Sequence, residues 1–192
     1  YEVMNTFFEE LPENVIVISD IGSNMVWTLQ SAKLTETQQL FTNFGNASMG
    51  FALPAAIGAA IASGKQVFVV AGDGGFQMNV QELQTVKAYG LPIHITVLDN
   101  GGYGMIKQFQ DTYFKSKYVA TCKDDIYGSS VDFAAVAKAY GITKFKHVHI
   151  PETQRVYPKL EFGNALENMS PLIDSKADMI VNPAPVKSAG WI

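Results

Sequence analysis

Three short runs of almost purely apolar residues constrain the fold of this chain more than any other feature of its sequence. They are Val15–Ile18, Val67–Ala71 and Ile93–Leu98, and a loop that contains glycine follows each of them. Apolar runs of roughly four to eight residues that end at turn-forming residues are typical of strands buried on both faces. The sequence therefore predicts a sheet that is covered from both sides.

Segments in which apolar residues recur at helical spacing lie between and around these strands. We predict helices at Tyr1–Leu11, Phe51–Ala62, Asn79–Tyr89, Tyr103–Tyr113 and Val131–Tyr140, and a further short strand near Lys144–Val148. Strands that alternate with helices are typical of α/β folds. We expect an open, mainly parallel sheet with helices on both faces, in which ligands bind beyond the carboxyl ends of the strands.

The length of 192 residues and a hydrophobic fraction of 47% suffice for one sizeable core, so we predict a single domain over residues 1–192. The pattern weakens after Ile150. Residues 151–192 are expected to form a C-terminal extension with a helix at Lys159–Met169, a short strand at Pro171–Asp174 and an irregular tail from Asn182. Because the chain begins with Tyr1 rather than Met, we expect it to belong to a longer polypeptide.

Charge and cysteine content exclude several classes of protein. The net charge is −4 and the sequence contains no block of basic residues, which argues against a nucleic-acid or polybasic membrane binder. No apolar run approaches the roughly 20 residues that span a bilayer. The single cysteine, Cys122, cannot form an intramolecular disulfide, and the acidic N-terminal segment is unlike a signal peptide, so we predict a cytoplasmic location.

Two loops that follow apolar strands carry residues suited to metal and phosphate chemistry. They are Ala71–Phe76 and Leu98–Gly104, and parallel neighbouring strands would bring them together. Magnesium prefers oxygen ligands and commonly binds one or two carboxylates together with phosphate oxygens. Asp73, the amide oxygen of Asn100 and a nearby backbone carbonyl would supply the protein ligands.

The glycines of the first loop suit the approach of a phosphate group. Gly72, Gly74 and Gly75 let the backbone come close to a ligand, and the amides at the start of the following helix favour an anion. Either loop alone also fits an ordinary turn between a strand and a helix. Nucleotide-binding fingerprints fit poorly, because Gln77 stands where a dinucleotide motif has its third glycine and no Gly-Lys-Ser/Thr sequence follows a glycine turn.

The two loops together resemble the thiamine-diphosphate signature, which begins Gly-Asp-Gly and closes on paired asparagines. Here Gly72-Asp73-Gly74 is followed after 24 residues by Asp99-Asn100. Three further segments are similar to segments of acetolactate synthases and occur in the same order: Met49–Gly58, Gly74–Leu83 and Gly104–Gln108. The resemblance to the catalytic-subunit family of acetolactate synthases covers roughly residues 1–142.

The resemblance implies roles for individual residues. It implies metal binding by the side chains of Asp73 and Asn100 and by the carbonyl of Gly102. The cofactor-binding residues that it implies are Ser23, Asn24, Gly72, Gly74 and Gly75 around the diphosphate, Met49 as the apolar support that bends the cofactor, and Met105 beneath its central region. Phe109 corresponds to a tryptophan near the substrate entrance. Asp99 stands where the family usually has asparagine, and Ser23-Asn24 stands where many members have Gln-His. We expect the Asp99 carboxylate to bind backbone donors.

The resemblance also implies an activity. We expect the chain to be the C-terminal part of an enzyme that uses thiamine diphosphate and Mg²⁺, with FAD as a further candidate in the full-length protein, and we expect the chain alone to be inactive. The full enzyme would decarboxylate pyruvate or another 2-keto acid and transfer the acyl unit to a second carbonyl compound. A simple 2-keto acid decarboxylase, another carboligase and a non-catalytic assembly or regulatory module remain alternatives. The activating glutamate is expected outside this chain, on a pyrimidine-binding domain of the same or another subunit of a homodimer or homotetramer.

An aromatic cluster follows shortly after the second loop. Tyr113, Phe114, Tyr118 and Tyr127 suit either a contact between domains or the lining of a substrate entrance, and the contact is the favoured interpretation.

Overall fold

Six parallel strands form one sheet in the computed structural model, which describes residues 1–121, 131–145, 147–150 and 180–183. In chain order the strands are β1 (Ile16–Ser19), β2 (Gln39–Thr42), β3 (Val67–Gly72), β4 (Ile93–Leu98), β5 (His147–Ile150) and β6 (Ile180–Pro183). Their order across the sheet is β2-β1-β3-β4-β6-β5, and every pairing is parallel. The three apolar runs of the sequence are therefore β1, β3 and β4, at the centre of the sheet.

Seven helices accompany the sheet in the described part of the chain. They are α1 (Glu2–Glu9), α2 (Ser23–Ser31), α3 (Ala52–Ser63), α4 (Asp73–Met78), α5 (Leu83–Tyr89), α6 (Gly104–Tyr113) and α7 (Phe133–Ala139), with a 3-10 turn at Val80–Glu82 between α4 and α5. Residues of α3, α5 and α7 pack in one core, and residues of α1 and α2 pack in a second. The predicted α/β fold is confirmed.

The central strand β3 explains why the apolar runs are continuous. Val67, Val69 and Ala71 contribute to the core beneath α3, whereas Phe68 and Val70 contribute to the core beneath α1. Side chains of a strand alternate between the two faces of a sheet, so a strand covered on both faces needs an apolar residue at every position.

None of the described helices has the length and apolar character that a membrane crossing requires.

Several sequence-based assignments differ from the structure. Both α2 and β2 were missed; β2 is an edge strand whose burial alternates, so its residues do not form an apolar run. The predicted helix Asn79–Tyr89 is wrong at its start, because Asn79 leaves helical geometry (φ −133°) and a 3-10 turn precedes α5. The strand predicted near Lys144–Val148 begins later, at His147.

The predicted irregular tail is also wrong at its start, because Asn182 and Pro183 belong to β6, which pairs with β5 in parallel. The remaining expectations for the C-terminal region concern Lys159–Met169 and Pro171–Asp174, and both segments lie outside the described residues. Cys122 and Tyr127 lie outside them as well.

Candidate functional site

A cavity of about 310 Å³ opens at the carboxyl ends of β1, β3 and β4. The residues that the sequence singled out for metal and cofactor binding share its walls: Ser23, Asn24, Met49, Gly72, Asp73, Gly74, Gly75, Asn100, Gly102 and Met105. Residues from four separate stretches of sequence are thus brought together at the edge of the sheet where α/β proteins bind ligands. Their individual roles stay predictions.

The two loops of the signature meet because β3 and β4 are neighbours in register. Gly72, the last residue of β3, lies opposite Leu98, the last residue of β4. Asp73 therefore begins α4 beside the turn that carries Asn100. The expectation that parallel pairing brings these loops together is confirmed.

Oxygen atoms of Asp73 and Asn100 converge on one backbone amide. The N–H of Gly102 donates to Asp73 Oδ2 at 3.0 Å and to Asn100 Oδ1 at 3.2 Å. Asp73 is buried and lines the cavity. A carboxylate, an amide oxygen and a nearby backbone carbonyl form a donor set that suits a hard divalent cation. Within the described residues, no group of three His, Cys, Asp or Glu side chains offers an alternative metal site.

Asp99 closes the turn beside this pair. Its Oδ1 accepts a hydrogen bond from the Gly101 N–H at 2.9 Å, and its side chain is buried. The expectation that Asp99 binds a backbone donor is confirmed. The side-chain oxygen of Asn100, the next residue, shares the Gly102 N–H with Asp73 Oδ2.

Glycines around the cavity allow close packing of the polar groups. A Cβ atom on Gly74 would lie 2.4 Å from Cε1 of Tyr103, so the tyrosine ring rests directly on the Gly74 backbone. A Cβ atom on Gly104 would lie 3.1 Å from Asn100 Nδ2 and 3.4 Å from Ser23 Oγ. The Ser23 hydroxyl and the Asn100 amide therefore both lie close to the Gly104 backbone.

Asn24 ties the first turn of α2 to the sheet. Its Nδ2 donates to the carbonyl of Val70 at 3.4 Å, and a Cβ atom on Gly72 would lie 3.4 Å from its Oδ1. The side chain is buried beside the end of β3. Asn24 thus lines the cavity while its amide is held by the strand that leads to Asp73.

The sequence reasoning missed Asp20, which follows β1. Its buried carboxylate accepts hydrogen bonds from the N–H groups of Ile21 at 2.6 Å, Gly50 at 3.0 Å and Ala52 at 3.3 Å. Burial raises the pKa of the Asp20 carboxyl above its usual value, and these backbone donors pull it in the opposite direction. The sequence did contain a signal for Asp20. An aspartate directly follows each of the three central strands: Asp20 follows β1, Asp73 follows β3 and Asp99 follows β4.

The outer part of the cavity is apolar and exposed. Met105 and Ile106 line it from the start of α6, a helix that contains no buried residue. Phe109 does not line the cavity; its ring packs against Tyr113 at 4.6 Å and Phe114 at 5.9 Å between ring centroids. The predicted substrate-entrance residue thus belongs to an aromatic group next to the cavity mouth.

Comparison with known proteins gives the family. Residues 20–171 match the family model "Thiamine pyrophosphate enzyme, C-terminal TPP binding domain", thiamine pyrophosphate being another name for thiamine diphosphate. The chain is 40% identical over 132 residues (68% of its length) to the acetolactate synthase isozyme 2 large subunit of Escherichia coli, and 34% identical over 150 residues (78%) to the acetolactate synthase large subunit of Lactococcus lactis. The chain belongs to the C-terminal thiamine-pyrophosphate-binding domain family.

A solved structure agrees in fold. The thiamine diphosphate-dependent 4-hydroxybenzoylformate decarboxylase of Rhodococcus jostii RHA1 matches 97% of this chain with a TM-score of 0.73 and 19% sequence identity. The chain spans 23% and 25% of the length of the two acetolactate synthase subunits and 33% of the decarboxylase chain.

Proposed function

From this family membership, we propose that the chain is the diphosphate- and magnesium-binding part of a longer enzyme of the acetolactate synthase type. The observation that carries the proposal is the convergence of Asp73 Oδ2 and Asn100 Oδ1 on the Gly102 amide, at 3.0 and 3.2 Å. Two side-chain oxygen atoms that follow adjacent strands, beside glycine backbone, suit a magnesium ion that is shared with a diphosphate.

The residues of the cavity fit such a cofactor. Asp73 and Asn100 would hold the metal through their side chains and Gly102 through its carbonyl. Ser23, Asn24, Gly72, Gly74 and Gly75 would surround the diphosphate, and Met49 and Met105 would contact the central part of the cofactor. The lining of one cavity by all of these residues supports this assignment.

The chemistry that thiamine diphosphate supplies when bound is a nucleophilic thiazolium carbon and an electron sink for the decarboxylation of a 2-keto acid. The contribution of this chain is binding and orientation. The buried Asp73 carboxylate and the partly buried Asn100 amide would hold the charged end of the cofactor, and the exposed side chains of Met49 and Met105 would contact its central part. Activation by a glutamate is expected from another domain.

The exposed apolar mouth of the cavity supports the involvement of a second domain. Exposed apolar groups that adjoin one another commonly mark a contact surface, and α6 presents Met105, Ile106 and Phe109 at 45%, 50% and 54% exposure. We propose that a pyrimidine-binding domain of the same or another subunit covers this surface in a homodimer or homotetramer. A cytoplasmic location is part of the proposal.

The substrate assignment rests on the relatives. The two relatives named above are acetolactate synthase large subunits. We therefore propose first that pyruvate is the 2-keto acid and that its acyl unit is transferred to a second carbonyl compound. Phe109, where this family usually has tryptophan, favours a second candidate with a different substrate preference, a 2-keto acid decarboxylase or another carboligase. FAD is a further candidate component of the full-length enzyme.

Binding of the cofactor by the full-length protein tests the proposal. We expect calorimetry to detect thiamine diphosphate binding that requires Mg²⁺, and we expect Asp73→Asn to weaken it by about a hundredfold, or roughly 2.7 kcal/mol. The physical reason is that an amide oxygen replaces a charged ligand of a hard cation. Carbon dioxide release from pyruvate by the wild type then tests the reaction class.

The matched control is Asp132→Asn, which removes the same charge from the N-cap of α7, where asparagine caps equally well. It should bind the cofactor as the wild type does. Binding without Mg²⁺, or equal binding by Asp73→Asn, would show that the metal site is wrong. Absence of binding by the wild type would overturn the enzyme proposal and leave a non-catalytic assembly or regulatory module.

A further inference from the structure

Gly50, which follows the cavity residue Met49, is held by hydrogen bonds at both its N–H and its carbonyl. Its N–H donates to both carboxylate oxygens of Asp20, at 3.0 and 3.1 Å. Its carbonyl accepts a hydrogen bond of 2.8 Å from Nδ2 of Asn79. Asp20 and Asn79 lie 30 and 29 residues away in sequence, so two distant segments hold one residue.

The surroundings of Gly50 leave no room for a side chain. Its φ is +83°, a conformation that residues with side chains rarely adopt. A Cβ atom at Gly50 would lie 2.6 Å from Cβ of Met78 and 2.9 Å from Nδ2 of Asn79. The backbone of Gly50 therefore lies directly against the end of α4.

Asn79, which holds the Gly50 carbonyl, follows the end of the helix that begins with a predicted metal ligand. Asp73 is the first residue of α4, Met78 is the last, and Asn79 follows immediately. The same short helix thus carries a candidate ligand at its start and the residue that holds Gly50 at its end. Met49 is the neighbour of Gly50 and lines the cavity.

We propose that Asn79 is a positioning residue, which holds Gly50 against the Asp20 carboxylate and thereby sets the place of Met49 in the cavity. The inference rests on the proposed function, because it assigns Met49 a contact with the cofactor. Asn79 itself does not line the cavity and acts through Gly50. It links the apolar support of the cofactor to the helix that carries Asp73.

Two ligands separate this role from a general structural one. Thiamine diphosphate with Mg²⁺ would contact Met49, whereas inorganic diphosphate with Mg²⁺ would occupy only the charged end of the cavity. In the full-length protein, we expect Asn79→Ala to weaken binding of thiamine diphosphate by about five- to tenfold, as the loss of one neutral hydrogen bond would. Binding of inorganic diphosphate should stay within about twofold of the wild-type value.

Gln81→Ala is the matched control. Gln81 Nε2 donates to Asn79 Oδ1 at 3.2 Å, so this variant removes the other side-chain contact of Asn79 and leaves its bond to Gly50. It should bind both ligands as the wild type does. Asn79→Asp is a second variant that keeps the shape of the side chain but offers no N–H to the Gly50 carbonyl, and because its carboxylate repels that carbonyl oxygen, it should weaken thiamine diphosphate binding at least as much as Asn79→Ala does.

A double-mutant cycle with Met49→Ala tests the route of the effect. If Asn79 acts through Met49, then Asn79→Ala should change thiamine diphosphate affinity by less than about twofold in the Met49→Ala background. Additive effects, equal weakening of both ligands, or unchanged affinity in Asn79→Ala and Asn79→Asp would each overturn the inference while the proposed function stands. A wild-type protein that binds inorganic diphosphate but no thiamine diphosphate would overturn both.

Discussion

The inner and outer parts of the cavity are built in opposite ways. The inner part, here termed the floor, consists of the turns after β1, β3 and β4, where the carboxylates of Asp20, Asp73 and Asp99 are buried and each accepts a backbone N–H. The outer part is lined by Met105 and Ile106, and we term these two residues together with the adjoining Phe109 of α6 the rim; none of the residues of α6 is buried.

The difference shows which half of a binding site this chain can complete alone. Buried carboxylates are tolerated only where donors satisfy them, and the sheet supplies those donors within this chain. Exposed apolar side chains next to a cavity contribute favourable free energy only when another surface covers them and removes them from water. The buried carboxylates of the floor are therefore satisfied within this chain, whereas the exposed apolar rim is suited to contact with a partner.

Matched glycine variants test how tightly the floor is packed. Gly74→Ala places a Cβ atom 2.4 Å from Cε1 of Tyr103, so we expect the free energy of unfolding to fall by about 1–3 kcal/mol. Gly58→Ala, in the exposed middle of α3 with no atom within 4 Å, should raise it by about 0.5–1 kcal/mol. Denaturant unfolding of the full-length protein measures both. Equal stability of Gly74→Ala and the wild type would contradict the close packing of Tyr103 on the floor.

Charge substitutions of two exposed isoleucines test the rim. Ile106→Lys, on α6, should weaken subunit or domain association by at least about tenfold, because it places a charge in an apolar contact. Ile61→Lys, on α3 and similarly exposed, should leave association unchanged. Sedimentation analysis over a range of concentrations measures the effect. Equal behaviour of the two variants would remove the proposed distinction between the rim and the rest of the apolar surface.

The pH dependence of stability tests the electrostatics of the floor at Asp20. Burial raises the folded-state pKa of this carboxyl above the usual 3.8, so the stability that it contributes is present below 3.8 and is lost as the pH rises through the folded-state pKa. Asp20→Asn lacks this titration. We therefore expect the unfolding free energy of the wild type, relative to Asp20→Asn, to fall with rising pH across that window, in a series of denaturant titrations. A relative stability that rises with pH would show that the backbone donors outweigh burial.

The same contrast explains how far the sequence predicts the fold. The central strands β1, β3 and β4 are buried on both faces, so their apolar runs are readable without knowledge of their neighbours. The edge strand β2 was missed because Gln39 and Phe41 are exposed and only alternate residues are partly buried. A strand with one partner and one open side leaves a weak pattern.

The site was predictable to the extent that its residues lie within local motifs. Asp73 and Asn100 follow readable strands at the spacing of a known signature, so their meeting could be anticipated. The roles of Asp20 and Asn79 depend on contacts with Gly50, 30 and 29 residues away, and on the left-handed backbone of that glycine. Such contacts are set by tertiary packing, which local patterns do not encode.

The position of a bound metal tests the central claim most directly. We suggest crystals of the full-length protein with thiamine diphosphate and Mn²⁺, whose anomalous scattering locates the ion without reference to the protein. The account predicts a single strong peak in this domain, with the Asp73 carboxylate, the Asn100 amide oxygen and the Gly102 carbonyl as its protein ligands. A peak elsewhere, or a cofactor bound in this cavity with no metal between these residues, would contradict it.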